Sequence, residues 1–264
     1  MTLKRRIKHW LYGWCPGFAG SFPYFGERLH FPRGSLLFDL ACEQGIFEED
    51  NLRLLQGAVR ENSWYFDVGA NIGLMSAPLL HSRDRVTVVS VEASPHTGAF
   101  LKRSVDGSPR RGQWKFEGLA LGAQDGQATF FTSAPSHGAF DGLRDTGRGR
   151  TARAITVAMS RLDTLWHRHG EPDVSCIKID VEGAESEILA GAEACLAACR
   201  PVIMLEWNAE NLAAYHRSPD SLFSLADRLR YEIFAAPHLT PVHGPVPLRI
   251  QMNLGETFVL IPSA

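Results

Sequence analysis

Apolar and polar positions change their period along this chain. Over residues 1–40 no period is sustained, and glycines, prolines and aromatics are interspersed, which predicts an irregular arm or cap. Residues 47–60 differ: Phe47, Leu52, Leu54, Leu55 and Val59 recur at helical spacing. Glu48, Glu49 and Asp50 fall in the first turn, where the helix dipole favours acids, and Glu61, Asn62 and Ser63 end the segment. From residue 64 short apolar runs alternate with helical stretches. Residues 64–68 (WYFDV) predict a strand, 72–81 a helix blemished by Pro78, and 86–92 (VTVVSVE) a strand buried on both faces. A helix over 95–105, strands over 114–121, 128–132 and 154–157, and a brief helix over 162–167 come next. Then come a strand over 174–180 (VSCIKID), a helix over 185–198 lined by Ile188, Leu189, Ala192 and Leu196, and a strand over 201–207 (PVIMLEW). A helix over 221–230 and strands over 231–235 and 257–261 complete the pattern. Residues 133–150 carry Gly138, Gly142, Gly147 and Gly149 with Arg144, Arg148 and Arg150 interleaved, and read as a loop or lid.

Strands alternating with helices imply an α/β fold, a mostly parallel sheet with helices on both faces. In such sheets ligands bind beyond the carboxyl ends of the strands. That rule singles out 67–73, 92–95, 118–120, 180–183 and 206–208. The length of 264 residues suits one domain over 45–264 preceded by an irregular cap over 1–44.

Composition narrows the function classes. Twenty-seven Lys and Arg against 29 Asp and Glu leave a net charge of −2, which speaks against dominant nucleic-acid binding. No apolar run approaches the ~18–20 residues of a membrane span. The basic cluster Lys4, Arg5, Arg6 and Lys8 imitates a secretory n-region, but Gly13, Pro16, Gly17 and Gly20 interrupt the stretch where an apolar h-region would lie. The expectation is a soluble, cytoplasmic protein, with a membrane-surface contact through the basic segment and its Trp10 and Trp14 as the alternative. Five cysteines without a C-x-x-C pair suit neither a disulfide framework nor a zinc site.

Three features carry candidate chemistry. In Asp67-Val68-Gly69-Ala70-Asn71-Ile72-Gly73 an acid closes a strand and two glycines open a helix. Glycines there permit a tight turn and let a ligand approach without a Cβ in the way. The spacing is neither G-x-G-x-x-G nor a P-loop, and Asp67 suits an amine better than a pyrophosphate. Glu92 closes the next strand, 19 residues after Gly73, where an acid can accept hydrogen bonds from ribose hydroxyls. A nucleoside with an amine-bearing tail fits both, and S-adenosylmethionine fits better than NAD. The third feature is Lys178-Ile179-Asp180-Val181-Glu182-Gly183-Ala184-Glu185. Helix capping accounts for some of these acids, Glu185 first. Asp180 sits on the strand next to the proposed cleft.

The segments FEEDNLRLLQGAVRENSWYFDVGANIGLMS, VVSVEASPHTGAFLKRSV, LALGAQDGQATFF, SCIKIDVEGAESEILAGA and PVIMLEWN span roughly residues 45–208. Together they resemble the FkbM family of S-adenosylmethionine-dependent methyltransferases. The resemblance implies the class I methyltransferase sheet, Rossmann-like, with seven strands and the last antiparallel. It implies that the turn with Asp67, Gly69, Ala70, Asn71 and Gly73 holds the methionine part of the cofactor. Glu92 would bind the ribose, Ala93 and Ser94 would lie beside the adenine, and the backbone at Leu119 and Ala120 would close over it. Asp180 would lie at the methyl-transfer centre. The family's acceptors imply O-methylation of a small molecule such as a sugar, polyketide or other natural-product scaffold. The chain departs from the family pattern in Glu-Ala-Ser-Pro after the second strand and in Ser104, where Asn is frequent. Residues 133–150 have no counterpart and are read as covering the acceptor.

Methyl transfer to a hydroxyl requires alignment and removal of a proton. The candidate bases are Asp180, Glu206, His137 and His216. The reading favours no metal. The alternative is a hard cation such as Mg²⁺ on the oxygen donors Asp180, Glu206 and Asn208. Arg144, Arg148, Arg150 and Arg153 suit an anionic substrate or, more simply, a solvated loop. Two rival functions stand beside methylation: a nucleotide- or NAD-binding enzyme on a similar sheet, and a non-catalytic module retaining the fold. The glycine spacing speaks against the first, and the set Asp67, Gly69, Gly73, Glu92 and Asp180 against the second. Oligomeric state is not legible.

Overall fold

A computed structural model describes residues 2–133, 141–147 and 153–263. Before the sheet come α1 (Leu3–Trp14), a hairpin of β1 (Ser21–Tyr24) and β2 (Glu27–His30), and α2 (Leu36–Gln44). The hairpin turns through Phe25 and Gly26, both at positive φ, as a two-residue turn that matches strand twist requires. Ser35 caps α2 by accepting the Phe38 N–H at 3.3 Å. The segment expected to be irregular is therefore regular. Phe22, Leu29, Phe31 and Phe38 share one buried cluster with Leu52, Leu55, Tyr65, Val88 and Trp114.

The sheet elements follow: α3 (Glu49–Ala58), β3 (Trp64–Val68), α4 (Ser76–Leu80), β4 (Thr87–Val91), α5 (Pro95–Asp106) and β5 (Trp114–Glu117). Next come β6 (Ala120–Leu121), β7 (Gly126–Thr132), β8 (Arg153–Ser160), α6 (Leu162–Arg168), β9 (Val174–Ile179), α7 (Glu185–Ala190) and α8 (Glu193–Cys199). The chain continues through β10 (Val202–Glu206), α9 (Ala209–Ala214), α10 (Ser221–Leu229), β11 (Tyr231–Ala235), β12 (Thr240–Pro241), α11 (Pro245–Met252) and β13 (Thr257–Pro262).

The main sheet runs β12-β11-β13-β10-β9-β3-β4-β5. Its centre is parallel, and β13 inserts antiparallel between β10 and β11. The seven expected strands are thus present, and the two-residue β12 adds an eighth at one edge. Alternating side chains build a core on each face. Phe66, Val68, Val89, Ile177 and Leu205 meet α6, α7, α8 and α10, while Tyr65, Val88, Cys176 and Met204 meet the N-terminal elements and α3 to α5.

Three expected elements differ. The run 114–121 is two strands, and β6 leaves for a separate three-stranded sheet, β6-β8-β7, which also takes the runs over 128–132 and 154–157. The helix over 72–81 shrinks to α4, preceded by a turn. The helix over 185–198 divides into α7 and α8. The break is stabilised from outside: the buried Asp163 carboxylate accepts the Ala194 and Cys195 N–H groups at 3.1 and 2.9 Å and caps α8 from α6. All five cysteines are free thiols.

Candidate active site

Beyond the end of β3 the chain turns back under the end of β9. A Cβ on Gly69, at φ +79°, would lie 1.8 Å from the Asp180 carbonyl oxygen. A Cβ on Gly73, at φ +86°, would press on Leu101 and Trp114 at 3.0 and 3.1 Å. Both glycines are required by close approach of the protein to itself, whatever the turn admits from the cleft. The Gly69 and Ala70 N–H groups both donate to the Val91 carbonyl at 3.0 Å, fixing the turn to β4.

Glu92 completes that fixation. Its two carboxylate oxygens accept the N–H groups of Asn71 (2.9 Å) and Ser94 (2.8 Å), joining the turn after β3 to the start of α5. Burial pushes its pKa up to about 7, against the pull of those two hydrogen bonds. The side chain lines the cleft with lone pairs to spare.

Asp67 does not reach that cleft. Side chains alternate across β3, so Asp67 points to the face opposite Phe66 and Val68 and lies only 1% exposed. Ser76 Oγ donates to it at 2.5 Å; Ser76 also contacts Ser90 at 2.6 Å, and Trp114 Nε1 donates to Ser90 at 2.8 Å. The amine contact expected of Asp67 gives way to a buried anchor for the first turn of α4.

At the ends of β9 and β10 the charges crowd. Lys178 is buried and its Nζ pairs with Asp180 Oδ2 at 2.8 Å. Burial alone would lower its pKa, but Asp180, Asp67 and Glu48 hold it above the ordinary lysine value. Carboxylate oxygens of Asp180, Glu182 and Glu206 lie within 4.8 Å of one another. Burial, then the charges of Asp180, Glu182, Glu185 and Glu256, push the Glu206 pKa up to about 10, while Asn211 Nδ2 donates to it at 3.2 Å.

Glu185 is a capping group, as the simpler reading has it. Its Oε1 accepts the Gly183 and Val181 N–H groups at 3.1 and 3.4 Å, and burial pushes its pKa up to about 8. Asn208 is likewise committed, since its Oδ1 accepts the Asn211 N–H at 2.8 Å as the N-cap of α9. Glu182 joins Asp180 and Glu206 in the carboxylate cluster.

These side chains converge on one cleft of about 340 Å³ at the carboxyl ends of the strands. Gly69, Ala70, Asn71, Glu92, Ala93, Leu119 and Ala120 line it, as do Asp180 and Glu206. Asp67, Gly73 and Ser94 lie behind its wall. His216 is exposed on the turn after α9, at φ +54°, away from the cleft. His137 lies outside the described residues, with Arg148 and Arg150. Arg144 stacks over Tyr215 at 4.9 Å.

Several lining residues carry no signal in the sequence. Asp141 returns beside the cleft because Phe131 and Gly142 exchange backbone hydrogen bonds, and its Oδ1 accepts the Ser133 N–H at 2.6 Å. Glu48 reads as a first-turn acid but sits at φ +44° in the cleft wall, and burial raises its pKa. Leu36, Leu37 and Leu40 of α2 close the opposite side.

A family model for the methyltransferase FkbM domain matches residues 67–231. A solved FkbM methyltransferase of Methylobacillus flagellatus KT is similar at 17% identity and a TM-score of 0.50, over 87% of this chain and 53% of that one. This chain therefore spans about half the length of that relative. A putative caffeoyl-CoA O-methyltransferase from Staphylococcus aureus is similar at 11% identity and a TM-score of 0.50, over 86% of this chain and 91% of that one. An O-methyltransferase from Bacillus cereus, in complex with SAH, is similar at 16% identity and a TM-score of 0.44, over 80% and 78% of the two chains. At these identities the likeness to the first two is one of fold. No curated protein matches the chain.

Proposed function

This chain belongs to the FkbM family of S-adenosylmethionine-dependent methyltransferases, and on that premise we propose that it methylates a hydroxyl of a small molecule. One observation carries the reading: a single cleft joins a doubly anchored Glu92 at one end to Asp180 and Glu206 at the other. We read residues 1–44 as a cap on the catalytic domain over 45–264, with α2 of the cap forming one cleft wall.

The cofactor supplies an electrophilic methyl group on a sulfonium. Glu92 receives the ribose hydroxyls with the acceptor lone pairs its backbone bonds leave free. Ala93, Leu119, Ala120 and Phe130 offer an apolar slot for the adenine, and Asp141 beside them can accept from an exocyclic amine. The turn over 69–71 receives the methionine part, with Gly73 behind it holding the turn's shape and Asp67 acting through Ser76. At the far end Asp180 takes the acceptor's proton as its oxygen attacks in line. Lys178, a fixed cation beside it, stabilises the charge that develops there. Glu206 holds its own proton near neutral pH and serves as a donor that orients the acceptor.

A second reading rests on the three clustered carboxylates. A hard cation would relieve the same repulsion that a proton on Glu206 relieves, and magnesium takes such oxygen donors. The donor set would be Asp180, Glu182 and Glu206. Transfer of labelled methyl from S-adenosylmethionine to a panel of hydroxylated sugars and polyketides, with and without EDTA, tests both. Label in a base-stable ether supports O-methylation. Label only in amines or peptides overturns it, and loss of transfer with EDTA, restored by Mg²⁺, moves the cation ahead of the proton.

A further inference from the structure

We propose that α1 docks this protein onto the surface of an anionic lipid bilayer, lying in the plane of the interface. The helix turns most of its large apolar side chains away from the protein. Leu3 (73% exposed), Ile7 (53%), Trp10 (59%) and Trp14 (57%) fall on one helical face and point to solvent, and Phe18 (52%), past the helix end, is exposed as well. No residue of α1 is buried. The side turned to the protein is mixed: Tyr12 packs against the buried cluster and His9 stacks on Phe38, and the remaining contacts are polar. Arg5 Nη1 donates to the Glu43 carbonyl at 2.6 Å, His9 Nε2 meets Asp39 at 2.8 Å, and Lys8 Nζ lies 4.7 Å over the Phe22 ring. A helix that folded only to cover the core would place its apolar stripe inward.

The charge around the stripe selects the occupant. Lys4 and Arg6 are exposed, and the Arg33 guanidinium stacks over Trp14 at 5.0 Å. The helix carries Lys4, Arg5, Arg6 and Lys8 and no acid, on a chain whose net charge is −2. A second copy docking through the same stripe would oppose these cations to themselves. An anionic headgroup layer complements them, and paired tryptophans suit the boundary between headgroups and acyl chains. At 12 residues α1 is about 18 Å long, so it lies on a bilayer and does not cross it. α2, against which α1 packs, lines the cleft with Leu36, Leu37 and Leu40, so docking through α1 holds the cleft close to the lipid.

Flotation of the full chain with vesicles tests this, independently of methyl transfer. The protein should float with mixed phosphatidylglycerol and phosphatidylcholine vesicles and bind phosphatidylcholine alone at least ~10-fold more weakly. Raised salt should weaken binding. A Trp10→Ala, Trp14→Ala double variant, and separately Lys4→Glu with Arg6→Glu, should each lose at least ~10-fold, at about fivefold per basic residue. Both should melt at the wild-type temperature and bind S-adenosylhomocysteine as before. Equal binding to neutral and anionic vesicles, equal binding by the variants, or no flotation overturns the proposal. A homodimer that the Trp10→Ala, Trp14→Ala variant dissociates, in a protein that ignores vesicles, would assign the stripe to a second copy.

Discussion

Glu206 is the residue whose protonation most shapes the site. Its pKa near 10 in the folded protein, against about 4.5 for a free glutamate, means that the folded state holds a proton the unfolded chain releases. Its contribution to stability is therefore full below about pH 4.5 and is lost as pH rises toward 10. Glu206→Gln keeps a neutral side chain at every pH, so its melting temperature should exceed the wild type's by about 10 °C or more at pH 9 and match it near pH 5. One kcal/mol is worth about 2–4 °C at this size. Thermal melts across that range read the difference, and a wild-type curve as flat as the variant's would contradict the assignment. At this scale the sequence is most informative about residues that end strands. Glu92, Asp180 and Glu206 are legible because residues at or just past the carboxyl end of a strand border the cleft in such sheets. Asp67 is misread because it stands one residue before the end of β3, where alternation sends it to the buried face. Asp141 is illegible, because its approach depends on a bridge between Phe131 and Gly142 that no local pattern encodes.

At the scale of elements the strand-turn-helix unit after β3 shows how packing sets the sequence. Gly69→Ala forces a Cβ against the Asp180 carbonyl and strains a positive φ. It should destabilise the protein by at least ~2 kcal/mol, since left-handed strain and overpacking each cost about 1–3. Gly57→Ala, in α3 with nothing within 4 Å of the added Cβ, should instead stabilise by about 0.5–1 kcal/mol. Chemical denaturation of both variants checks the contrast, and a neutral Gly69→Ala would refute the close approach. The β-branched runs of β4 and β9 make those strands legible. The hairpin of β1 and β2 is not, because Phe25-Gly26 lacks the Asn-Gly or Asp-Gly signal of such turns. α1 escapes a reading by period although Leu3, Ile7, Trp10 and Trp14 recur at helical spacing, because Gly13 and the interspersed basic residues blur its stripe. The long helix over 185–198 is misread because its break is made by Asp163, about thirty residues upstream.

At the scale of the whole molecule, two cores on the two faces of one sheet hold the strand ends in register, and the cleft follows from that register. The alternation of strand and helix gives the α/β class, but the place of β13 between β10 and β11 is a matter of pairing that periodicity does not contain; only the family resemblance anticipates an antiparallel last strand. The divided site makes a divided expectation. Asp180→Asn should reduce kcat at least ~10²-fold with little change in the KM for S-adenosylmethionine, because removal of the acceptor's proton is lost while the cofactor end of the cleft is untouched. Equal losses in both would make Asp180 a cofactor residue. The central claim, that this cleft is an S-adenosylmethionine site oriented by Glu92, is tested most directly by isothermal titration with S-adenosylhomocysteine. The wild type should bind in the micromolar range, more tightly at pH 8 than at pH 6, as Glu92 ionises through about 7 and presents acceptors alone to the ribose. Glu92→Ala should bind ~10–100-fold more weakly, the worth of hydrogen bonds to a charged group, and should lose most of the pH dependence. Unchanged affinity in Glu92→Ala, or no binding by the wild type at either pH, would contradict the account.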